Sequence, residues 1–158
     1  MDYLVNLSLL KPDPALDARV AGAGVTIRRA LAPEYELVTG WVRRTFSAGW
    51  AGETAVSFMR QPLACFLATR EGRLVGFACH ESIARGFFGP TGVDEAARGQ
   101  GIGHALLLAS LLDLKAMGYA YAIIGDVGPS EFYERTVGAM PIPNSEPGIY
   151  AGLLKTSD

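Results

Sequence analysis

The chain has 158 residues, of which 49% are hydrophobic and 19% are charged. These proportions predict one globular domain with a substantial core and argue against disorder. The formal net charge is −2 and the pI is about 5.7, so the chain lacks the broad basic character typical of a nucleic-acid-binding protein.

Residues 1–24 carry an extended start and then a lead-in rich in proline and glycine, and the periodic patterns begin after them. Alternating apolar residues predict strands, and apolar residues three or four positions apart predict helices. The predicted strands are residues 25–30, 64–70, 73–80, 83–93, 119–125 and 149–154. The predicted helices are residues 34–45, about 53–60, 102–117 and 130–136.

The order of these elements predicts the architecture. Strands 64–70 and 73–80 form an antiparallel hairpin, turned by Glu71-Gly72. The strand–loop–helix–strand unit over residues 87–125 is a crossover, which requires two parallel strands. Gly86, Gly89 and Pro90 predict a bulge in the first strand of that unit. The sequence therefore predicts a mixed α/β (α+β) sandwich whose mostly antiparallel sheet contains one parallel pair.

The cysteines and histidines argue against metal binding. Cys65 and Cys79 are the two cysteines, and His80 and His104 are the two histidines. They make neither a disulfide framework nor a metal spacing, so we expect no metal and two buried thiols in a reducing compartment. A two-residue hairpin turn would place the cysteines one register step apart, with side chains on opposite faces.

No targeting or membrane signal stands out in the chain. Residues 1–10 lack the basic stretch and long apolar run of a secretory signal. No segment reaches the roughly 18 apolar residues that a membrane-spanning helix needs. We therefore expect a cytoplasmic protein with no membrane partner and no nucleic-acid partner.

The most informative segment is Arg98-Gly99-Gln100-Gly101-Ile102-Gly103-His104, where an apolar strand gives way to a leucine-rich helix. Its three glycines let backbone N–H groups converge on one point, because glycine has no Cβ to hold a ligand away. The helix that begins there adds unpaired N–H groups and the positive end of its dipole. The segment therefore predicts a phosphate-binding loop.

Three kinds of phosphate loop compete for this segment. The Walker loop is excluded because no Gly-Lys-Ser/Thr follows the glycines. The dinucleotide fingerprint needs a third glycine at the position of His104, and it belongs near the start of an alternating fold. The pattern that remains is Arg-x-x-Gly-x-Gly, preceded by Thr91-Gly92-Val93.

Through this pattern the chain resembles the GCN5-related N-acetyltransferase superfamily, whose acetyl-CoA loop reads Arg/Gln-x-x-Gly-x-Gly/Ala. The likeness in element order covers residues 25–154, with 1–24 as an N-terminal extension of a single domain. It implies the acyl-CoA N-acyltransferase fold, in which the parallel strand pair splays apart and helices cover both faces. It also implies acetyl-CoA as cosubstrate. The residues implied to bind it are Thr91, Val93 and Asp126 along the pantetheine arm, and Arg98, Gly99, Gln100, Gly101, Ile102, Gly103 and His104 around the pyrophosphate.

The activity that the resemblance implies is acetyl transfer to a primary amine of a small molecule or a protein. The amine must lose a proton, and the departing CoA sulfur must gain one. Tyr133 falls on the tyrosine that protonates the sulfur in the family, although Gly138 follows it by five residues rather than four and Ala139 replaces a phenylalanine. Glu81 is the candidate base, acting directly or through a water. Asp94 and Glu95 are nearby alternatives, and some members of the family need no dedicated base because solvent carries the proton away.

The acceptor pocket is expected, by analogy with the family, between the early helices and the last strands. Trp50, Glu53 and Tyr150 are the expected acceptor-binding residues, and the proline-rich loop 141–148 would shape the pocket. A homodimer would be ordinary for the superfamily. The alternative function is a non-catalytic acyl-CoA-binding or regulatory module, which would keep the loop and lack the chemistry.

Overall fold

The apolar periodicity of the chain builds seven strands and five α-helices in a computed structural model that describes residues 1–155. The strands are β1 (Tyr3–Asn6), β2 (Val25–Arg29), β3 (Cys65–Arg70), β4 (Arg73–His80), β5 (Phe87–Val93), β6 (Tyr121–Ile124) and β7 (Met140–Pro141). The helices are α1 (Pro14–Gly22), α2 (Tyr35–Thr45), α3 (Ala48–Phe58), α4 (Ile102–Ala116) and α5 (Ser130–Val137). Within residues 1–155, no helix combines the length and the apolar character needed to cross a membrane.

All seven strands belong to one sheet in the order β2-β3-β4-β5-β6-β1-β7. Every neighbouring pair is antiparallel except β5 and β6, which are parallel and are joined by the crossover helix α4. Buried residues of α1, α4 and α5 form one core cluster, and those of α2 and α3 form a second. The predicted mixed α/β fold, with helices on both faces of the sheet, is confirmed.

The parallel pair separates soon after it forms. β5 and β6 pair over only two residues each, the last pair being Phe88 and Ile124. On the other side of β5, the ladder with β4 shifts by one residue between Ala78 and His80, opposite Gly89, whose φ is 120°. This shift is the bulge that the sequence predicted, and it lies at the point where β5 leaves β6.

The two cysteines correct the prediction from turn geometry. Cys65 and Cys79 are direct partners across β3 and β4, and both are buried in the cluster with α2 and α3. Placing them on opposite faces was wrong because the ladder shifts by one residue between Ala68 and Thr69. A one-residue shift turns every side chain beyond it to the other face.

The first 24 residues are ordered: the predicted extended start contains β1, whereas the lead-in over residues 11–24, predicted to be loose, contains α1. β1 is an inner strand, with β6 on one side and β7 on the other. α1 begins after Asp13, whose side chain accepts a hydrogen bond from the Leu16 N–H at 3.0 Å, and Pro14 is its first residue. Asp-Pro is a helix-start signal that the surrounding prolines and glycines obscured.

The start of α3 and the C-terminal segment also differ from the sequence prediction, and the strand predicted at residues 83–93 begins only at Phe87. The Ser47 side chain accepts a hydrogen bond from the Trp50 N–H at 3.1 Å and caps α3, so the helix begins at Ala48 rather than near residue 53. The predicted closing strand at residues 149–154 is wrong, because Gly148–Tyr150 forms a short 3-10 turn. This end of the sheet is completed by β1 and β7 instead.

Candidate active site

A cleft of about 1310 Å³ opens where β5 and β6 separate. It reaches both faces of the sheet, because residues of α3 line one part of it and the N-terminus of α4 lines another. Gln100 and Glu81 are the two predicted site residues that do not line it. The predicted site residues that do line it are Trp50, Glu53, Thr91, Val93, Arg98, Gly99, Gly101, Ile102, Gly103, His104, Asp126, Tyr133 and Tyr150.

The glycine loop has the backbone geometry that its sequence indicated. Gly99 and Gly101 adopt φ angles of 82° and 83°, a region that residues with a Cβ enter at a cost of about 1–2 kcal/mol. Gly101 is the N-cap of α4 and offers no side chain to the first turn. The first N–H groups of this helix therefore have no side-chain capping partner, the residues that carry them line the cleft, and the helix dipole adds positive potential there.

Four basic side chains line the same cleft: Arg19, Arg98, Arg135 and His104. Arg19 extends from α1 and donates from Nη2 to the Gly99 carbonyl at 3.0 Å. Arg98 donates from Nε to the carbonyl of Val93 at 3.2 Å. Sequence reasoning missed Arg19 and Arg135, because each is an isolated arginine outside the motifs that the sequence shows.

The surroundings of His104 and Gln100 differ from those of the other residues of the glycine loop. Burial lowers the pKa of His104; the nearby Arg19 strengthens this effect and Asp13 opposes it. His104 is therefore mainly neutral at neutral pH. The Gln100 side chain turns away from the cleft and accepts a hydrogen bond from Arg70, so it supports the loop from outside.

The backbone of β5 offers hydrogen-bonding groups to the gap. The Asp94 N–H donates to the Val75 carbonyl at 2.8 Å. Because hydrogen-bonded and non-hydrogen-bonded positions alternate in an antiparallel ladder, the backbone groups of Thr91 and Val93 point away from β4 and toward the gap. Gly92 lies between them, and a Cβ there would collide with the Phe46 ring.

Tyr133 lies on α5 with its side chain in the core and on the wall of the cleft. Its ring packs edge-on against Phe88 and Phe132, with centroids 6.4 Å and 5.1 Å away. Burial raises the pKa of Tyr133, so the phenol stays protonated at neutral pH. A protonated hydroxyl in the cleft is the group that a general acid requires.

Glu53 and Tyr150, which are 97 positions apart in the chain, meet in the cleft. The Tyr150 hydroxyl donates to Glu53 Oε1 at 3.2 Å. Burial raises the pKa of Glu53, and the bond from Tyr150 opposes the rise. Neither Glu53 nor Asp126 makes a salt bridge with any residue in 1–155. The carboxylate of Glu53 is thus partly buried with a neutral hydroxyl as its partner.

Glu81 occupies a different place from the one expected of the base. It is buried just after β4, and its carboxylate accepts hydrogen bonds from the Gly86 N–H and from Arg85. Burial opposes ionisation, but these bonds outweigh it, and the pKa of Glu81 is lowered. The structure therefore does not bring Glu81 to the cleft, where Glu53 supplies a carboxylate instead.

A second polar cluster lies outside the cleft. Asp113 on α4 accepts hydrogen bonds from Arg29 on β2 at 2.6 Å and contacts Nε2 of His80 on β4 at 2.7 Å. Burial opposes ionisation of Asp113, but these two partners hold its pKa well below the usual range. The cluster connects the crossover helix to the sheet.

Among residues 1–155, no group of three or more His, Cys, Asp or Glu side chains could hold a metal ion.

The glycine loop, the splayed strands and the order of elements agree with a comparison against protein families. The profile of the acetyltransferase (GNAT) family matches residues 26–139. The chain belongs to the GNAT family. The matched range contains the glycine loop and Tyr133, and β1 and α1 lie outside it.

Two of the three solved structures described next, with TM-scores of 0.70 and 0.59, show the same fold. The glucosamine N-acetyltransferase region of a fungal multi-domain GH3 β-N-acetylglucosaminidase matches with a TM-score of 0.70 and 18% identity, over 86% of this chain and 19% of that chain. A GCN5-related N-acetyltransferase from Kribbella flavida matches with a TM-score of 0.59 and 23% identity, over 89% of this chain and 53% of that chain. A GNAT acetyltransferase from Brucella melitensis in complex with acetyl-CoA matches with a TM-score of 0.49 and 24% identity, over 70% of this chain and 80% of that chain.

This GNAT domain spans less than two thirds of the length of the first solved structures that it resembles. No significant match was found among curated proteins.

Proposed function

We propose that this chain is an acetyl-CoA-dependent N-acetyltransferase that acts on a primary amine. The observation that carries the proposal is the convergence of three features on one cleft. The glycine loop of α4, the free backbone edge of β5 and the protonated phenol of Tyr133 all line it. Acetyl transfer from CoA needs a phosphate-binding loop, backbone partners for the amides of the pantetheine arm, and a proton donor.

The donor half of the cleft fits acetyl-CoA. The N–H groups at the start of α4 suit the pyrophosphate, and Arg19 and Arg98 add positive charge beside them. The backbone groups of Thr91 and Val93 suit the amides of the pantetheine arm, in the manner of a strand added to a sheet edge. Asp126 lines the wall across the gap from β5.

The transfer step uses two groups of the cleft. The acceptor ammonium first loses a proton through the Glu53 carboxylate to solvent, and its nitrogen then attacks the acetyl carbonyl. As the C–S bond breaks, the Tyr133 hydroxyl gives its proton to the departing sulfur. The new amide nitrogen releases its second proton to solvent, from which Tyr133 is reprotonated. The products are the acetylated amine, CoA and one proton.

The experiment that tests this proposal is CoA release measured with a thiol reagent, with and without a panel of primary amines. The expected result is release that depends on the amine, together with the acetylated amine detected by mass spectrometry. Saturable acetyl-CoA binding without amine-dependent release would contradict the transferase and favour a non-catalytic acyl-CoA-binding module. Absence of acetyl-CoA binding would contradict both.

A further inference from the structure

We infer that the acceptor is a primary amine with an aromatic or apolar arm and no carboxylate beside the amine. This inference rests on the proposed function and specifies the substrate class of the same cleft. Its basis is the charge and the aromatic lining of the acceptor half of the cleft, which we define as the part lined by Phe46, Trp50, Glu53 and Tyr150.

The first observation is the unpaired carboxylate of Glu53. A partly buried charge is costly unless a partner of opposite sign accompanies it. Within residues 1–155, Glu53 has the Tyr150 hydroxyl as its hydrogen-bond partner and makes no salt bridge. An incoming ammonium would supply the missing cation, and the site therefore suits a positively charged nitrogen.

The second observation is that further carboxylates influence Tyr150, the partner of Glu53: Asp126, which lines the cleft, and Asp2, which does not. Burial and Glu53 raise the pKa of Tyr150, and Asp126 and Asp2 add to the rise. Asp2 is itself fixed, because it accepts a hydrogen bond from the Asp126 N–H at 3.0 Å and its own N–H donates to the Ser145 hydroxyl at 2.8 Å. Three carboxylates thus act on one tyrosine hydroxyl at the wall of the cleft.

The basic side chains of the cleft lie on other elements. Arg19 belongs to α1, Arg98 and His104 to the glycine loop and its helix, and Arg135 to α5. None comes from α3 or from the turn at Gly148–Tyr150, which hold Glu53 and Tyr150. A carboxylate on the acceptor would therefore meet like charge, which costs several kcal/mol at close range.

The third observation is the aromatic wall beside Glu53. Trp50 lies one turn earlier on α3, and its ring lies 5.1 Å from that of Phe46. Trp50 is 37% exposed, and both rings line the cleft. An indole face next to a carboxylate favours a cation with an apolar arm, through cation–π attraction and apolar contact.

The test compares amines that differ only in the carboxylate: 2-phenylethylamine against phenylalanine, and tyramine against tyrosine. We expect kcat/KM for each amine to exceed that of its amino acid by about a hundredfold, because a like-charge cost of about 3 kcal/mol corresponds to that factor. In Glu53→Gln, we expect the ratio to fall at least tenfold while acetyl-CoA affinity is kept. Glu36→Gln, at an exposed position on α2, is the matched control and should keep the ratio.

The failures of the two proposals are distinguishable. If acetyl-CoA binds and the amino acids are acetylated as well as or better than the amines, the acceptor class is wrong and the transferase stands. The acceptor class is also wrong if acetyl-CoA binds and none of the four compounds is acetylated. If acetyl-CoA does not bind, the proposed function fails, and this inference fails with it.

Discussion

The hydroxyl of Tyr150 donates a hydrogen bond to Oε1 of Glu53 at 3.2 Å, across 97 positions of the chain. Burial raises the pKa of this carboxyl, and the hydrogen bond lowers it. Removing the hydroxyl should therefore raise the pKa of Glu53 further. Removing this hydrogen bond therefore changes the ionisation of Glu53, the proposed proton acceptor.

The first prediction concerns the pH profile of Tyr150→Phe. Activity requires ionised Glu53, so kcat/KM is lost as the pH falls through the pKa of Glu53. We expect the acidic limb of the profile to move to higher pH in Tyr150→Phe, because the stabilising donor is gone. Tyr121→Phe, on an exposed tyrosine of β6 that does not line the cleft, should leave the limb in place. An unchanged limb in Tyr150→Phe would show that Glu53 does not control it.

The second prediction concerns Tyr133→Phe. The variant keeps the ring that packs against Phe88 and Phe132 and removes the proton donor. We expect kcat to fall by about 10²–10³, within the range of general acid catalysis, with acetyl-CoA affinity unchanged. Steady-state kinetics and calorimetric titration measure the two quantities. Full turnover in the variant would eliminate the acid role.

The third prediction concerns Arg19, which lies on α1, outside the matched family range. Because its guanidinium lies beside the glycine loop, Arg19→Ala should weaken acetyl-CoA binding about tenfold, the value of one charge-assisted contact. The salt dependence of binding should weaken as well. Arg43→Ala, on an exposed arginine of α2 away from the cleft, should change neither. Equal affinities for Arg19→Ala and the wild type would remove Arg19 from the site.

The fourth prediction concerns the stability of Asp113→Asn. The variant leaves Arg29 and His80 without their carboxylate, so we expect the free energy of unfolding to fall by about 3–5 kcal/mol in urea titrations. Acetyl-CoA binding should persist, because Asp113 does not line the cleft. Asp17→Asn, at an exposed position on α1, is the control. A loss below 1 kcal/mol would show that the cluster stabilises little.

The pH dependence of stability gives the same cluster a second test. A carboxyl with a lowered pKa in the folded state stabilises the protein fully above its unfolded pKa, about 3.9 for aspartate. That contribution is lost as the pH falls below this value toward the folded pKa. Asp113→Asn should therefore show a shallower acid loss of stability than the wild type.

The elements of the fold that depend on a local sequence pattern could be predicted from the sequence. The hairpin, the long apolar helix α4 and the bulge at Gly89 follow from local patterns, because glycine, proline and apolar spacing act within a few residues. The facing of Cys65 and Cys79 could not be predicted in this way. It depends on a shift in the ladder between Ala68 and Thr69 that no residue type marks.

The candidate site likewise has residues that could be predicted from the sequence and residues that could not. The glycine loop and Tyr133, which line the cleft, could be proposed from the sequence because their motifs are contiguous. Arg19 was missed because it reaches the cleft through tertiary packing, 80 positions along the chain from Gly99. Asp2, which does not line the cleft, was missed because its contact with the Asp126 N–H spans 124 positions. Glu81 was misplaced because the chain leaves β4 at a left-handed residue, with φ of 61° at Glu81, and a regular strand no longer decides its facing.

The central claim is that the glycine loop at the start of α4 binds acetyl-CoA, and one calorimetric titration tests it with a matched pair of variants. Gly101→Val and Gly72→Val both force a Cβ onto a left-handed backbone, with φ of 83° and 72°, but Gly72 lies in open space at the hairpin turn. We predict saturable binding of one acetyl-CoA to the wild type and to Gly72→Val, and none to folded Gly101→Val. Absence of binding to the wild type, or equal affinity in Gly101→Val, would contradict the claim.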